Sequence, residues 1–101
     1  MRTQPRGGRV DGNQAQIVRE LRALFFKVDI VSQLKKLYDL VVTGQDANGN
    51  IRTLRVEIKQ PGEKLTADEK EYHEIEPYPE TLIIAYNVND ILDWFGREVK
   101  G

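Results

Sequence analysis

The sequence predicts an α/β domain with a central mixed sheet, its elements in the order α-β-β-β-α-β(-α). Three observations carry this. Ile17, Leu21 and Leu24 recur at helical spacing, with Val18 and Phe25 widening the apolar stripe. Two strand-like segments, YDLVVTG and IRTLRVEIK, flank QDANGN, where Asn48-Gly49 suits a turn that needs positive φ. Further on, TLIIAY is an unbroken apolar run of strand length, as expected for a strand covered on both faces.

Taken in order, residues 1–10 read as a flexible basic arm, because Gly7-Gly8 opposes regular structure. Asp11 followed three residues later by Gln14 resembles a capping box, so the first helix is expected from Gly12 to Phe25. β-Branched alternation in FKVDIV predicts a short strand over Phe26–Val31, and SQLKKL reads as a loop. The second strand ends at Gly44 and forms an antiparallel hairpin with the third, Ile51 to Lys59. Thr66 with Glu69 is a second capping box, and Pro77 and Pro79 stop the helix that it starts. A last short helix over VNDILDWFG is capped by Asn87 or Asn89 and ends at Gly96.

A chain of 101 residues suffices for one core, so residues 11–101 form a single domain behind the arm. With no cysteine, disulfides, thiolate zinc sites and cysteine nucleophiles are excluded. No apolar run is long enough to span a membrane, and MRTQPRGGRV has no secretory apolar core, so a cytoplasmic location is expected. The net charge of −1 does not advertise a nucleic-acid partner, but charge is segregated along the chain. Arg6 and Arg9 in the arm, Lys35 and Lys36 before the second strand, and Lys64 near a helix start are candidate phosphate contacts.

The chemistry-bearing stretch is LRVEIKQP. Strand alternation puts Leu54, Val56 and Ile58 on one face and Arg55, Glu57 and Lys59 on the other. Glu57 and Lys59 are then about 7 Å apart along the strand. Asp39, an unusual residue for a strand, joins them if the hairpin pairs its polar faces. Two neighbouring carboxylates repel, and a hard divalent cation with oxygen ligands relieves that repulsion. Such an ion grips a phosphate and activates a water, and an adjacent lysine orients that water or neutralises developing charge. The set suits metal-assisted phosphodiester hydrolysis. Charge on the solvent face of a strand is the competing reading.

The segments YDLVVTG and LRVEIKQPGEKLTADEKEYHE together resemble the PD-(D/E)xK nuclease superfamily, in particular small phage-encoded enzymes similar to Holliday-junction resolvases. The opening GRVDGNQAQIVRELRAL is similar to the first helix of those enzymes. The resemblance implies a restriction-endonuclease-like core and Mg²⁺, with Mn²⁺ as substitute, held by Asp39, Glu57 and the backbone carbonyl of Ile58. It implies that Lys59 positions the attacking water, and that a homodimer cuts branched double-stranded DNA in the host cytoplasm. Tyr38 stands where the family's proline is usual, and Gln16 where related resolvases carry an extra acidic ligand. EIKQPGEKLT is also similar to the VRR-NUC branch, which implies a flap or structure-selective nuclease. A non-cleaving DNA-binding relative of the fold is the alternative from outside the enzymes. His73, the one histidine, reads as a helix-surface or helix-packing residue, and Trp94 and Phe95 as core or dimer-interface residues.

Overall fold

The structure, a computed structural model, describes residues 6–34 and 37–97, with only the backbone described for residues 6–12. The elements are α1 (Arg6–Ala23), β1 (Lys27–Ile30), β2 (Leu40–Gln45), β3 (Ile51–Ile58), α2 (Ala67–Ile75), a 3-10 turn (Pro79–Thr81), β4 (Leu82–Ala85) and α3 (Val88–Trp94). The four strands form one sheet in the order β1-β2-β3-β4. β1, β2 and β3 pair antiparallel, and β4 joins β3 in parallel, so the sheet is mixed as expected. A parallel neighbour needs a crossover, which α2 supplies.

The β2–β3 hairpin follows from its loop. Asp46 Oδ1 accepts from the amides of Asn48 and Asn50, both at 2.9 Å, and Gly49 takes φ +84°. This local closure sets a register in which Leu40 faces Val56 and Val42 faces Leu54. These four residues share a sheet face with Ile58 and cluster with Ile17, Val18 and Leu21 of α1 and Val88, Ile91 and Leu92 of α3. Full burial of side chains of this size contributes about 1.5–3 kcal/mol each. At the hairpin end of the sheet the ring of Phe26 lies on Gly44, where an added Cβ would sit 2.3 Å from Phe26 Cδ1.

Helix α1 differs from expectation at both ends. It begins at Arg6, so residues 6–10 are helical where a flexible arm was expected, and Asp11 and Gln14 lie inside the helix where a capping box was expected. Once a helix is nucleated, each added residue gains a hydrogen bond at low cost, which carries it through the glycine pair. At its C-terminus the amides of Phe25 and Phe26 reach back to Arg22 O and Leu21 O, with Phe25 at φ +71°. That left-handed position usually belongs to glycine. The capping box at Thr66 and the Asn87 cap of α3 form as the sequence predicts. Residues 1–5 of the expected arm, Lys35 and Lys36 lie outside the described residues. Among the described residues no helix is long and apolar enough to cross a membrane.

Candidate active site

Asp39 immediately precedes β2, and its backbone is tied on both sides. Its N–H donates to Val56 O and its carbonyl accepts from Val31 N–H, both at 2.8 Å. The β2–β3 ladder ends at Leu40 and Val56, and just beyond it the Asp39 N–H bonds to Val56 O one residue out of that register, leaving its carboxylate beside the end of β3. Asp39 Oδ2 accepts from Ile58 N–H at 2.8 Å. Asp39, Glu57, Ile58 and Lys59 therefore line a single cavity of about 500 Å³ between the end of β3, α1 and the start of α2.

The polar face here is not a wet one. Glu57 is 3% exposed and Lys59 5% exposed. Helix α2 covers this face, and its Glu69 Oε1 lies 2.8 Å from Lys59 Nζ. Glu57 Oε2 and Glu63 Oε2 each stand 3.6 Å from the same ammonium. The cavity thus gathers four carboxyl groups, of Asp39, Glu57, Glu63 and Glu69, against one ammonium.

The electrostatics follow from that imbalance. Burial, then the charges of Asp39 and Glu69, push the Glu57 carboxyl up to about 9. Burial also raises Asp39, with the Ile58 amide pulling the other way. Burial opposes the Lys59 ammonium, but its bond to Glu69 and the surrounding carboxylates outweigh this and hold its pKa above the ordinary value. Burial likewise opposes the Glu69 carboxylate, and the Lys59 bond and the Thr66 amide overcome it, so Glu69 stays ionised more readily than usual.

Two oxygens bear on whether the cavity suits a cation. Glu57 Oε1 and Gln14 Oε1 are buried with no hydrogen-bond partner, and both residues line the cavity. A buried acceptor without a partner costs about 1–3 kcal/mol. Among the described residues no group of three or more His, Cys, Asp or Glu side chains is arranged to hold a metal ion. The fit is instead to an ion that needs one or two carboxylates, takes neutral oxygens and keeps waters, which is the habit of Mg²⁺. Asp39, Glu57 and Gln14 supply that donor set.

The sequence-based site residues divide clearly. Asp39, Glu57, Ile58 and Lys59 come together as expected. Gln16 does not join them: it is exposed and donates to Glu20 Oε2 at 3.1 Å. Two helical residues span about 200°, so with Gln14 turned to the cavity, Gln16 is turned away. Lys64 is exposed on the loop before α2 and does not line the cavity. The side chains of Arg6 and Arg9, and the whole of Lys35 and Lys36, lie outside the described residues.

Asn13, Gln14 and Glu69 are cavity residues that the motif reading missed. Asn13 Nδ2 donates to Lys59 O at 3.3 Å, joining α1 to the end of β3. Gln14 was legible in principle, since it extends the 3–4 spacing of Ile17, Val18 and Leu21 by one turn. His73 lies outside the cavity, and burial lowers its pKa. Trp94 Nε1 donates to Glu80 O at 2.8 Å and its ring packs on buried Phe95, so both serve the fold. No family model, curated protein or solved structure matches the chain.

Proposed function

We propose that this chain is a divalent-metal-dependent DNA endonuclease of the PD-(D/E)xK type, with a restriction-endonuclease-like core, acting on branched DNA as a homodimer. The observation that carries the reading is the Asp39 carboxylate, anchored by the Ile58 N–H at 2.8 Å, in the same buried cavity as Glu57 and Lys59. Strand alternation alone accounts for Glu57 beside Lys59. It does not account for a second carboxylate held beside them by the Ile58 amide.

The reaction is hydrolysis of a phosphodiester: a water oxygen bonds to phosphorus as the bond to the leaving oxygen breaks, and the leaving oxygen takes up a proton. Asp39, Glu57 and the Ile58 carbonyl would hold Mg²⁺ or Mn²⁺, with Gln14 as the neutral oxygen from α1. When bound, the ion lowers the pKa of a water and offsets charge on the phosphate. Lys59 keeps its proton at neutral pH, because its neighbours raise its pKa. It therefore acts as a charged donor that orients the water and meets developing negative charge, and not as a base.

The test is cleavage of four-way junction, flap, mismatch and plain duplex DNA with Mg²⁺ or Mn²⁺. Junction cleavage that is lost in Asp39→Ala and in Lys59→Ala is expected. Preferred flap cutting would move the reading to a VRR-NUC-like nuclease. Tight binding without product under either ion would sink the catalytic claim and leave a non-cleaving DNA-binding protein.

A further inference from the structure

Helix α2 starts with a capping box whose glutamate is shared. Glu69 Oε1 accepts from Thr66 N–H at 2.9 Å, and the same oxygen is 2.8 Å from Lys59 Nζ. The remaining carboxylates near that ammonium are farther away, at 3.6 Å. The capping requirement does not explain the choice of residue, because glutamine at this position would close the box equally well. A further carboxylate beside Glu57 and Asp39 adds repulsion in a buried cavity, which the Lys59 ammonium and the Thr66 amide outweigh. What glutamate alone provides here is an anionic partner for the ammonium.

We infer that Glu69 is the positioning residue for Lys59, tethering its ammonium to the first turn of α2 so that the lysine is held ready beside Asp39 and Glu57. The inference rests on the nuclease reading for the role of Lys59, while the tether itself stands on the geometry alone. It ties the position of the lysine to a side chain of the first turn of α2. It also assigns the loop from Gln60 to Leu65 a purpose, for that loop returns Glu69 to a lysine ten residues earlier. The turn is closed locally, with Gln60 N–H donating to Glu63 Oε1 at 2.9 Å and Glu63 N–H to Gln60 O at 2.9 Å.

Glu69→Gln separates the two duties, because the amide oxygen still accepts from Thr66 N–H but the ion pair is gone. In the full chain labelled with ¹⁵N-lysine and kept in EDTA, the Lys59 ammonium should give an exchange-protected NMR signal that Glu69→Gln abolishes. On a four-way junction with Mg²⁺, kcat should fall about 10- to 100-fold, while KM and calorimetric Mn²⁺ affinity hold. Thr66→Ala, which weakens the cap from its other side, should lower the melting temperature and leave kcat in place. An unchanged ammonium signal in Glu69→Gln overturns the tether. Loss of the signal with kcat unchanged, or an equal loss of kcat in Thr66→Ala, overturns the positioning role. If wild-type protein cuts no substrate, the nuclease reading fails and takes the catalytic role with it, while the ammonium signal still decides the tether.

Discussion

The two faces of the sheet are built from the same strands by opposite means. Under α1 and α3, Leu40, Val42, Leu54, Val56 and Ile58 pack in one cluster with aliphatic and aromatic side chains. Under α2, the same stretch of β3 presents Arg55, Glu57 and Lys59, and the contacts to the helix are charged. Arg55 donates to Glu76 Oε1 at 2.6 Å and to the Tyr72 hydroxyl at 3.0 Å, while Lys59 pairs with Glu69. Apolar burial is non-directional and tolerant of small shifts, whereas these charged contacts fix positions and gain little net stability. One face therefore holds the fold together, and the other holds side chains in place at the expense of some of that stability.

The largest effect that separates the faces is expected on the apolar side. Leu54 is fully buried, and Leu54→Ala should cost about 2–5 kcal/mol in urea unfolding. A cost no larger than that of a surface change would mean the core lies elsewhere. On the polar side the sign should reverse. Glu57 is held neutral up to about pH 9 in the folded chain, so its ionisation on unfolding weakens the fold as pH rises from the ordinary carboxylate range toward that value. Glu57→Gln should thus raise the melting temperature at pH 8 in EDTA, by about 4–8 °C per kcal/mol relieved. A drop would show that the charged carboxylate is satisfied in the ion-free protein.

The smallest effect concerns Glu76, whose carboxyl Arg55 and the Tyr78 amide hold down at about 2. Its stabilising contribution is present above the ordinary carboxylate pKa and is lost as pH falls toward that lower value. Glu76→Gln should flatten that part of the acid-unfolding curve and lower stability at neutral pH, where the contribution is fully present. An unchanged acid limb would remove Glu76 from the polar clamp.

What was legible in the sequence follows the same division. The period-2 pattern of Leu54, Val56 and Ile58 reads directly as a buried face, and the Asn48-Gly49 loop sets the register that brings Leu40, the residue after Asp39, to Val56. Gln16 was singled out by resemblance, whereas the apolar phase of the same helix points to Gln14. Glu69 was recognised for its helix start, but its second partner is a lysine reached only through tertiary folding. Arg55 looked like strand-surface charge for the same reason: Glu76, Tyr78 and Thr81 meet it only once the crossover has closed. Local patterns announce local partners, and a charged pair across a crossover leaves no periodic trace.

Asp39 engages three neighbours at once, through its amide to Val56, its carbonyl to Val31 and its carboxylate to Ile58. Freezing a side chain at a binding interface costs about 0.5–1.5 kcal/mol. For Asp39 that ordering is complete when the chain folds, so whatever binds there meets a carboxylate already aimed. The hairpin thereby turns folding energy into preorganisation at the acid that leads into β2.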